Sequence, residues 1–199
     1  MTKDLLIKDD FAPDIAAVRE AVIAGGFTTQ TGPDGALYTG ISFYPVPQWF
    51  EHVAAVAGGP ITVRLSAFRL NLAGELPHSW VHADAICAQY ASVLYLNPPE
   101  QCAGGTALWR HVSGANRLLS PAELRDGDID ATSYHSWMTN EWKDLTRWLQ
   151  TRLIDMKFNR FLTYPTSYFH SRYPFDAFGK DAASGRLIWI CFYDKGVKT

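Results

Sequence analysis

Cysteine is scarce in this chain of 199 residues, with only Cys87, Cys102 and Cys191 present. An odd number without CxxC spacing supplies neither a disulfide framework nor a zinc knuckle. Excess charge of either sign is also missing. The formal net charge is -2 and no run of Lys or Arg occurs, so nothing points to nucleic acid or an anionic membrane surface as partner. No apolar stretch approaches membrane-spanning length, and MTKDLLIKDDF has neither the basic nor the apolar region of a signal peptide. Phosphate loop, dinucleotide glycine fingerprint and nucleophile elbow are all missing. No linker, low-complexity tract or internal repeat divides the chain. The expectation is a reduced, cytoplasmic protein forming one domain over residues 1–199.

Aromatic residues, by contrast, are plentiful: 14% of the chain, with seven tryptophans. That richness argues for a deep core or a lined pocket and against disorder. Residues 13–24 read as a helix, with Pro13 in its first turn, Ile15, Val18 and Val22 on one face, and Gly25-Gly26 at its end. A second short helix is expected around Trp49 to Val56, and residues 28–46 read as loop and short strand. From residue 61 the texture changes. ITVRLSAFRLNLA alternates apolar and polar residues, YASVLYLN and GTALWRH are β-rich, and FNRFLTYP and RLIWICFY complete a set of strands.

This pattern predicts a mainly β fold, with core strands at about 61–112 and 158–194. An antiparallel double-sheet jelly roll, flanked by N-terminal helices, has this look. Residues 113–157 are expected to form a helical insertion. Ser120-Pro121-Ala122-Glu123 is a helix start with a reciprocal cap, and Met138, Trp142, Leu145 and Leu149 recur at helical spacing. Its tryptophans read as core residues, with a substrate lid as the alternative.

The chemistry is concentrated in a few residues. HSWVHAD contains His82-x-Asp84, and residues two apart on a strand point to one face, so imidazole and carboxylate can grip a single metal. His170 follows a later strand and can supply the third ligand. Two histidines and one carboxylate on one face, with opposite positions open, make the facial triad of non-haem iron oxygenases. Arg186 opens the last strand, and its guanidinium suits two-point contact with a carboxylate. If it faces inward, Ile188, Ile190 and Phe192 follow it there, while Cys191 faces away.

HSWVHAD followed by YASVLYLN, Gly104-Gly105, FLTYPTSYFHS and RLIWICFYD resembles the Fe(II)/2-oxoglutarate-dependent dioxygenase superfamily, in its prolyl-4-hydroxylase-like branch. The opening DLLIKDDFAPDIAAVREAV is similar to that branch's first strand and helix. The resemblance implies a double-stranded β-helix (a cupin-like jelly roll), Fe(II) as cofactor and 2-oxoglutarate as co-substrate. It implies that His82, Asp84 and His170 bind iron and that Arg186 holds the far carboxylate of 2-oxoglutarate. Tyr90 and Ser92 lie where relatives help to hold that co-substrate, and Arg172 is a rival anion ligand. The reaction implied couples oxidative decarboxylation of 2-oxoglutarate by dioxygen to hydroxylation of a small molecule or peptide side chain. Halogenating members replace the carboxylate of the triad with a small residue, so Asp84 points to hydroxylation.

Two other readings stay open. One is a cupin-like metal- or ligand-binding module without oxidative turnover, since fold does not guarantee function. The other is a zinc hydrolase built on His78, His82 and Asp84. His78 also suits a role orienting a ligand. His111, ending GTALWRH near the expected pocket mouth, reads as a substrate contact or as a surface or hydrogen-bonded histidine, and His52 and His135 are expected to be solvated. Trp80 and Trp109 read as core residues or substrate-stacking ones, and Cys87 and Cys191 as small buried groups.

Overall fold

The computed structural model describes residues 4–32, 35–75, 80–84 and 88–196, the side chain of His135 excepted. The first half runs β1 (Leu6–Lys8), α1 (Ile15–Gly25), β2 (Thr28–Thr31), β3 (Leu37–Ser42), α2 (Pro47–Ala57), β4 (Ile61–Asn71), β5 (Tyr90–Tyr95) and β6 (Gly105–His111). It continues with α3 (Pro121–Asp126), α4 (Ala131–Glu141), β7 (Trp148–Asp155), β8 (Phe161–Pro165), β9 (His170–Tyr173) and β10 (Arg186–Lys195). Seven strands form one sheet in the order β1-β8-β5-β10-β4-β3-β2, and three form a second in the order β7-β6-β9. All pairings are antiparallel. The architecture is the expected mainly β jelly roll.

Strand alternation sorts the side chains into layers. Along β10, Leu187, Trp189 and Cys191 pack under the two N-terminal helices, against Val18, Val22, Trp49 and Val53. Arg186, Ile188, Ile190 and Phe192 point the other way. Ile188 is buried with Val93, Tyr95 and Tyr164 of the large sheet and Leu108 and Ile154 of the small one. That cluster is the floor of the space between the sheets. A third cluster lies outside the small sheet, where Trp109, Trp148 and Phe169 meet Met138 of α4. Crossing into the small sheet, Gly104 and Gly105 both have positive φ (66° and 157°). A Cβ at either position would strike backbone atoms, of Tyr173 and Ile154 respectively, so the sharp entry to β6 requires glycine.

The stretch 113–157 is only partly helical. Ser120 caps α3 as its sequence predicts: its hydroxyl accepts from the Glu123 N–H, and the Glu123 carboxylate accepts from the Ser120 N–H at 2.8 Å. The correction concerns 148–155, which form strand β7 rather than a continued helix. Asp144 accepts from Thr146 N–H at 3.0 Å, starting a single 3-10 turn at Leu145 that ends the helical run. The following residues then pair along β6, His111 opposite Trp148 and Gly105 opposite Asp155. Leu145 and Leu149, which complete the helical spacing, are both exposed.

Candidate metal centre and the arginines beside it

His82 does not lie in a regular strand. It makes an isolated antiparallel bridge with His170, in which each residue's N–H donates to the other's carbonyl, at 3.0 and 2.8 Å. A pair bonded in this way presents both side chains on one side, and the two imidazoles stand 4.5 Å apart between ring centroids. Two residues on, the Asp84 N–H donates to Thr166 O at 2.8 Å, which turns the carboxylate back toward the rings. Asp84 Oδ2 is 3.1 Å from His170 Nε2, and Asp84 Oδ1 is 3.8 Å from His82 Nε2. One donor atom from each of the three lies within 4.8 Å of the others.

The protonation pattern suits a cation. His170 Nδ1 donates to the Tyr168 carbonyl at 2.9 Å, since a carbonyl can only accept. That fixes the tautomer and aims the Nε2 position at the Asp84 carboxylate, where a lone pair would be repelled unless a proton or a metal sits between them. Burial lowers the His170 pKa, but the charge of Asp84 and its hydrogen bond outweigh this and hold it above the ordinary value. Burial raises that of Asp84, and His170 outweighs it in turn, so Asp84 stays ionised. His82 is driven down to about 4, by burial first and then by the charge of His170. Its imidazole is therefore neutral at ordinary pH, and its buried Nδ1 has no partner among the described residues.

Arg186 faces the same interior. It is 2% exposed, Nη1 reaches only Asn71 Oδ1 at 3.4 Å, and Nε has no partner among the described residues. Its guanidinium sits over Tyr95, 5.8 Å from the ring centroid, and the Tyr95 hydroxyl bonds Thr106 Oγ1 at 2.7 Å. Tyr164 spans the distance between the two centres. Its ring is 4.9 Å from that of His170, and after burial its phenol responds to Asp84, Tyr95 and Arg186. Triad and arginine therefore both face the interior between the two sheets. Arg186 thus offers unused donors to a carboxylate, while His82, Asp84 and His170 offer nitrogen and oxygen donors to a divalent metal.

Several expectations need correcting. Tyr90 lies on the opposite face of β5, stacked on Tyr193 at 5.4 Å and packed with the helix-side core. Ser92 shares that face, opposite Cys191. Alternation puts Tyr95 inside instead, and with Tyr164 it is the phenol that the sequence reading missed. Knowing the β5–β10 register would have found it, because Tyr95 pairs with Ile188. His111 is the hydrogen-bonded residue among its alternatives rather than a surface one. It is 1% exposed, bonded to Glu141 at 3.1 Å and Ser113 at 2.8 Å, with the rings of Trp137 and Trp148 at 5.0 Å. His52 approaches Phe11 O at 3.0 Å rather than standing free. Trp109 is core, its Nε1 donating to Ser171 Oγ at 2.9 Å, and Trp80 packs edge-on against Phe175 at 5.1 Å. Cys191 is buried and free, as is the half-buried Cys102. His78, the further residue of the zinc-hydrolase reading, and Cys87 lie outside the described residues.

A model of the family of unknown function DUF6445 matches residues 2–193. The chain belongs to that family. No curated protein matches it. Among solved structures, this DUF6445 chain is similar to AviO1 from Streptomyces viridochromogenes Tue57, at 12% identity and a TM-score of 0.52, over 100% of this chain and 93% of that one. It is similar to SnoK, described as a non-heme alpha ketoglutarate dependent carbocyclase from nogalamycin biosynthesis, at 14% identity and 0.56, over 99% and 85%. EctD from S. alaskensis, solved with bound Fe, matches at 10% identity and 0.51, over 97% and 73%. At such identities the likeness establishes the fold that DUF6445 shares with these proteins. No helix among the described residues is long and apolar enough to cross a membrane.

Proposed function

We propose that the chain is an Fe(II)- and 2-oxoglutarate-dependent oxygenase, with His82, Asp84 and His170 as metal ligands and Arg186 as anchor for the far carboxylate of the co-substrate. The observation that carries this reading is the shared interior. A His-Asp-His cluster and a buried guanidinium with an unpartnered nitrogen face one space, joined through Tyr164. A buried charge left without a counter-ion is strongly destabilising. Its presence beside a metal-ligating set fits a ligand that bears a carboxylate and also reaches the metal. SnoK and EctD, which share the fold, are described with 2-oxoglutarate dependence and bound Fe respectively.

Iron and co-substrate, when bound, supply the dioxygen activation and the oxidative decarboxylation. The chain's own contribution follows from its geometry. Tyr168 O fixes the His170 tautomer so that Nε2 faces the metal position. Arg186, set by Asn71 and by the face of Tyr95, orients the co-substrate. Val93, Leu108 and Ile188 keep water from the floor of the site. With Asp84 present as a full carboxylate ligand, hydroxylation of a small molecule or peptide side chain is the reaction favoured. The prolyl-4-hydroxylase-like resemblance supports the order of the motifs and leaves the choice of substrate open.

Anaerobic titration with Fe(II) and 2-oxoglutarate tests the reading through the weak visible charge-transfer band of the chelate. The band is expected in the wild type and lost in Asp84→Ala and Arg186→Ala. Iron binding without any band would remove the oxygenase and leave a metal-binding jelly roll.

A further inference from the structure

Arg186 is not alone. Register places Arg69 opposite Ile188 and Arg172 opposite Thr106, so β4, β9 and β10 each send a guanidinium into the same interior. Arg172 is two residues from His170, on the same face of β9. Only one carboxylate pairs with these three cations among the described residues. Glu75 bonds Arg69 and stands 3.8 Å from Arg172 Nη1. Exposed Asp176 also bears on Arg172 but makes no ion pair with it.

The charge balance of the proposed function leaves a remainder. Fe(II), Asp84 and the metal-bound carboxylate of 2-oxoglutarate sum to zero, and its far carboxylate answers Arg186. Arg69 and Arg172 then share Glu75, so one guanidinium charge beside the metal is uncompensated. Arg172 cannot turn away. Its Nε donates to Phe175 O at 2.6 Å and its Nη2 to the Glu75 carbonyl, which leaves Nη1 facing the interior. Glu75 itself shows what this corner accepts. Besides Arg69, its carboxylate takes only long contacts from Asn71 Nδ2, at 3.1 and 3.3 Å, and from Leu72 N–H at 3.3 Å.

Resting on the oxygenase reading, we propose that Arg172, seconded by Arg69, anchors a carboxylate on the primary substrate, in a corner that the Glu75 side chain fills in the free protein. The substrate class is thus a small carboxylic acid, bound with its acid group beside the metal and its reactive carbon held toward it. With Nε and Nη2 engaged, Nη1 is left to make the charge-assisted contact with a carboxylate oxygen.

The test is a comparison of acids with their neutral amides, propionate with propionamide and phenylacetate with phenylacetamide. Each is titrated calorimetrically into anaerobic protein holding Fe(II) and the redox-inert analogue N-oxalylglycine. The acid is expected to bind about tenfold or more tighter than its amide, the scale of one charge-assisted bond. Arg172→Gln should bring the ratio near one while N-oxalylglycine still binds, and Glu75→Gln should tighten the acid several-fold by removing its competitor. Arg172→Lys, checked for folding by circular dichroism, should keep part of the preference. Equal or undetectable binding of acid and amide in the wild type would overturn the proposal. So would an unchanged ratio in Arg172→Gln, or loss of N-oxalylglycine there, which would make Arg172 the co-substrate's own anchor. If N-oxalylglycine binds neither wild type nor Arg186→Met, the oxygenase reading fails separately. The acid and amide comparison, repeated on metal-free protein, then still decides the role of Arg172.

Discussion

His82 and His170 exchange both main-chain hydrogen bonds, at 3.0 and 2.8 Å, although one precedes β5 and the other opens β9. Two proposed ligands far apart in sequence are thereby fixed by backbone rather than by side-chain packing alone. Asp84 is joined to the pair through Thr166 O. The site's precision therefore depends on strand pairing, and metal affinity should report on it.

Metal binding should release a proton near neutral pH. His170 carries a raised pKa because Asp84 faces its Nε2, so below that pKa a metal must displace the proton. Affinity should fall as pH drops through the His170 pKa, about tenfold per unit for one proton. Without metal the sign is opposite for stability: the His170–Asp84 contribution is full below the unfolded pKa and is lost as pH rises through the folded one. Calorimetry in buffers of different ionisation enthalpy measures the proton count. A count of zero at pH 6 would sink the assignment of His170 as a ligand through Nε2.

Arg186→Met should raise the stability of the ligand-free protein while abolishing co-substrate binding. The guanidinium is buried with no carboxylate partner among the described residues, held by Asn71 at 3.4 Å and by Tyr95, and its Nε is idle. Replacing an uncompensated buried charge with a packed apolar side chain is commonly stabilising, here on the order of 1 kcal/mol. Wild type should recover the difference when metal and 2-oxoglutarate are present, since a ligand at a hundred times its Kd adds about 2.7 kcal/mol. Denaturant titration with and without the two ligands checks both arms. A destabilised variant that still binds N-oxalylglycine would place the anchor elsewhere.

Tyr95→Phe and Tyr90→Phe separate the two faces of β5. The Tyr95 hydroxyl bonds Thr106, and its ring lies beneath Arg186. Its loss should weaken 2-oxoglutarate several-fold, equivalent to about 1 kcal/mol for one hydrogen bond in a buried network. Tyr90 stacks on Tyr193, with Lys195 over its ring at 4.6 Å, so Tyr90→Phe should leave co-substrate affinity unchanged. Dissociation constants from the chelate band decide the matter, and reversed effects would mean that the β5 alternation is misassigned.

Much of this layout was legible in the residues. The alternation in RLIWICFY placed Arg186 and Ile188 inside and Cys191 outside, because period-two patterning records which face is buried. The His82-x-Asp84 spacing and the place of His170 after a strand pointed to the three side chains whose donor atoms the structure brings within 4.8 Å of one another. What the sequence did not carry was register. Tyr90 and Tyr95 are equally aromatic and equally β-prone, and only the pairing of Tyr95 with Ile188 decides which is interior. Arg69 and Glu75 look like ordinary surface charge until β4 is laid beside β10. Residues 148–155 misled for a different reason: leucines at helical spacing are also compatible with a strand once a turn intervenes.

Trp148 and Leu149 test that last point directly. In β7, Trp148 is 4% exposed, packed edge-on against Phe169 at 4.8 Å, with its Nε1 donating to Glu141 O at 2.8 Å. Leu149 beside it is 49% exposed. Trp148→Ala should cost about 3–5 kcal/mol by opening a cavity beneath α4, whereas Leu149→Ser should stay within about 0.5 kcal/mol. A continued helix would bury Leu149 with Met138 and Trp142 and make its truncation the costly one. Because Phe169 precedes His170 in the chain, the Trp148 cavity should also loosen the metal site, seen as weaker Fe(II) binding in Trp148→Ala and unchanged binding in Leu149→Ser. Chemical denaturation of both variants, read beside their Fe(II) affinities, distinguishes the strand from the helix by which residue carries the loss.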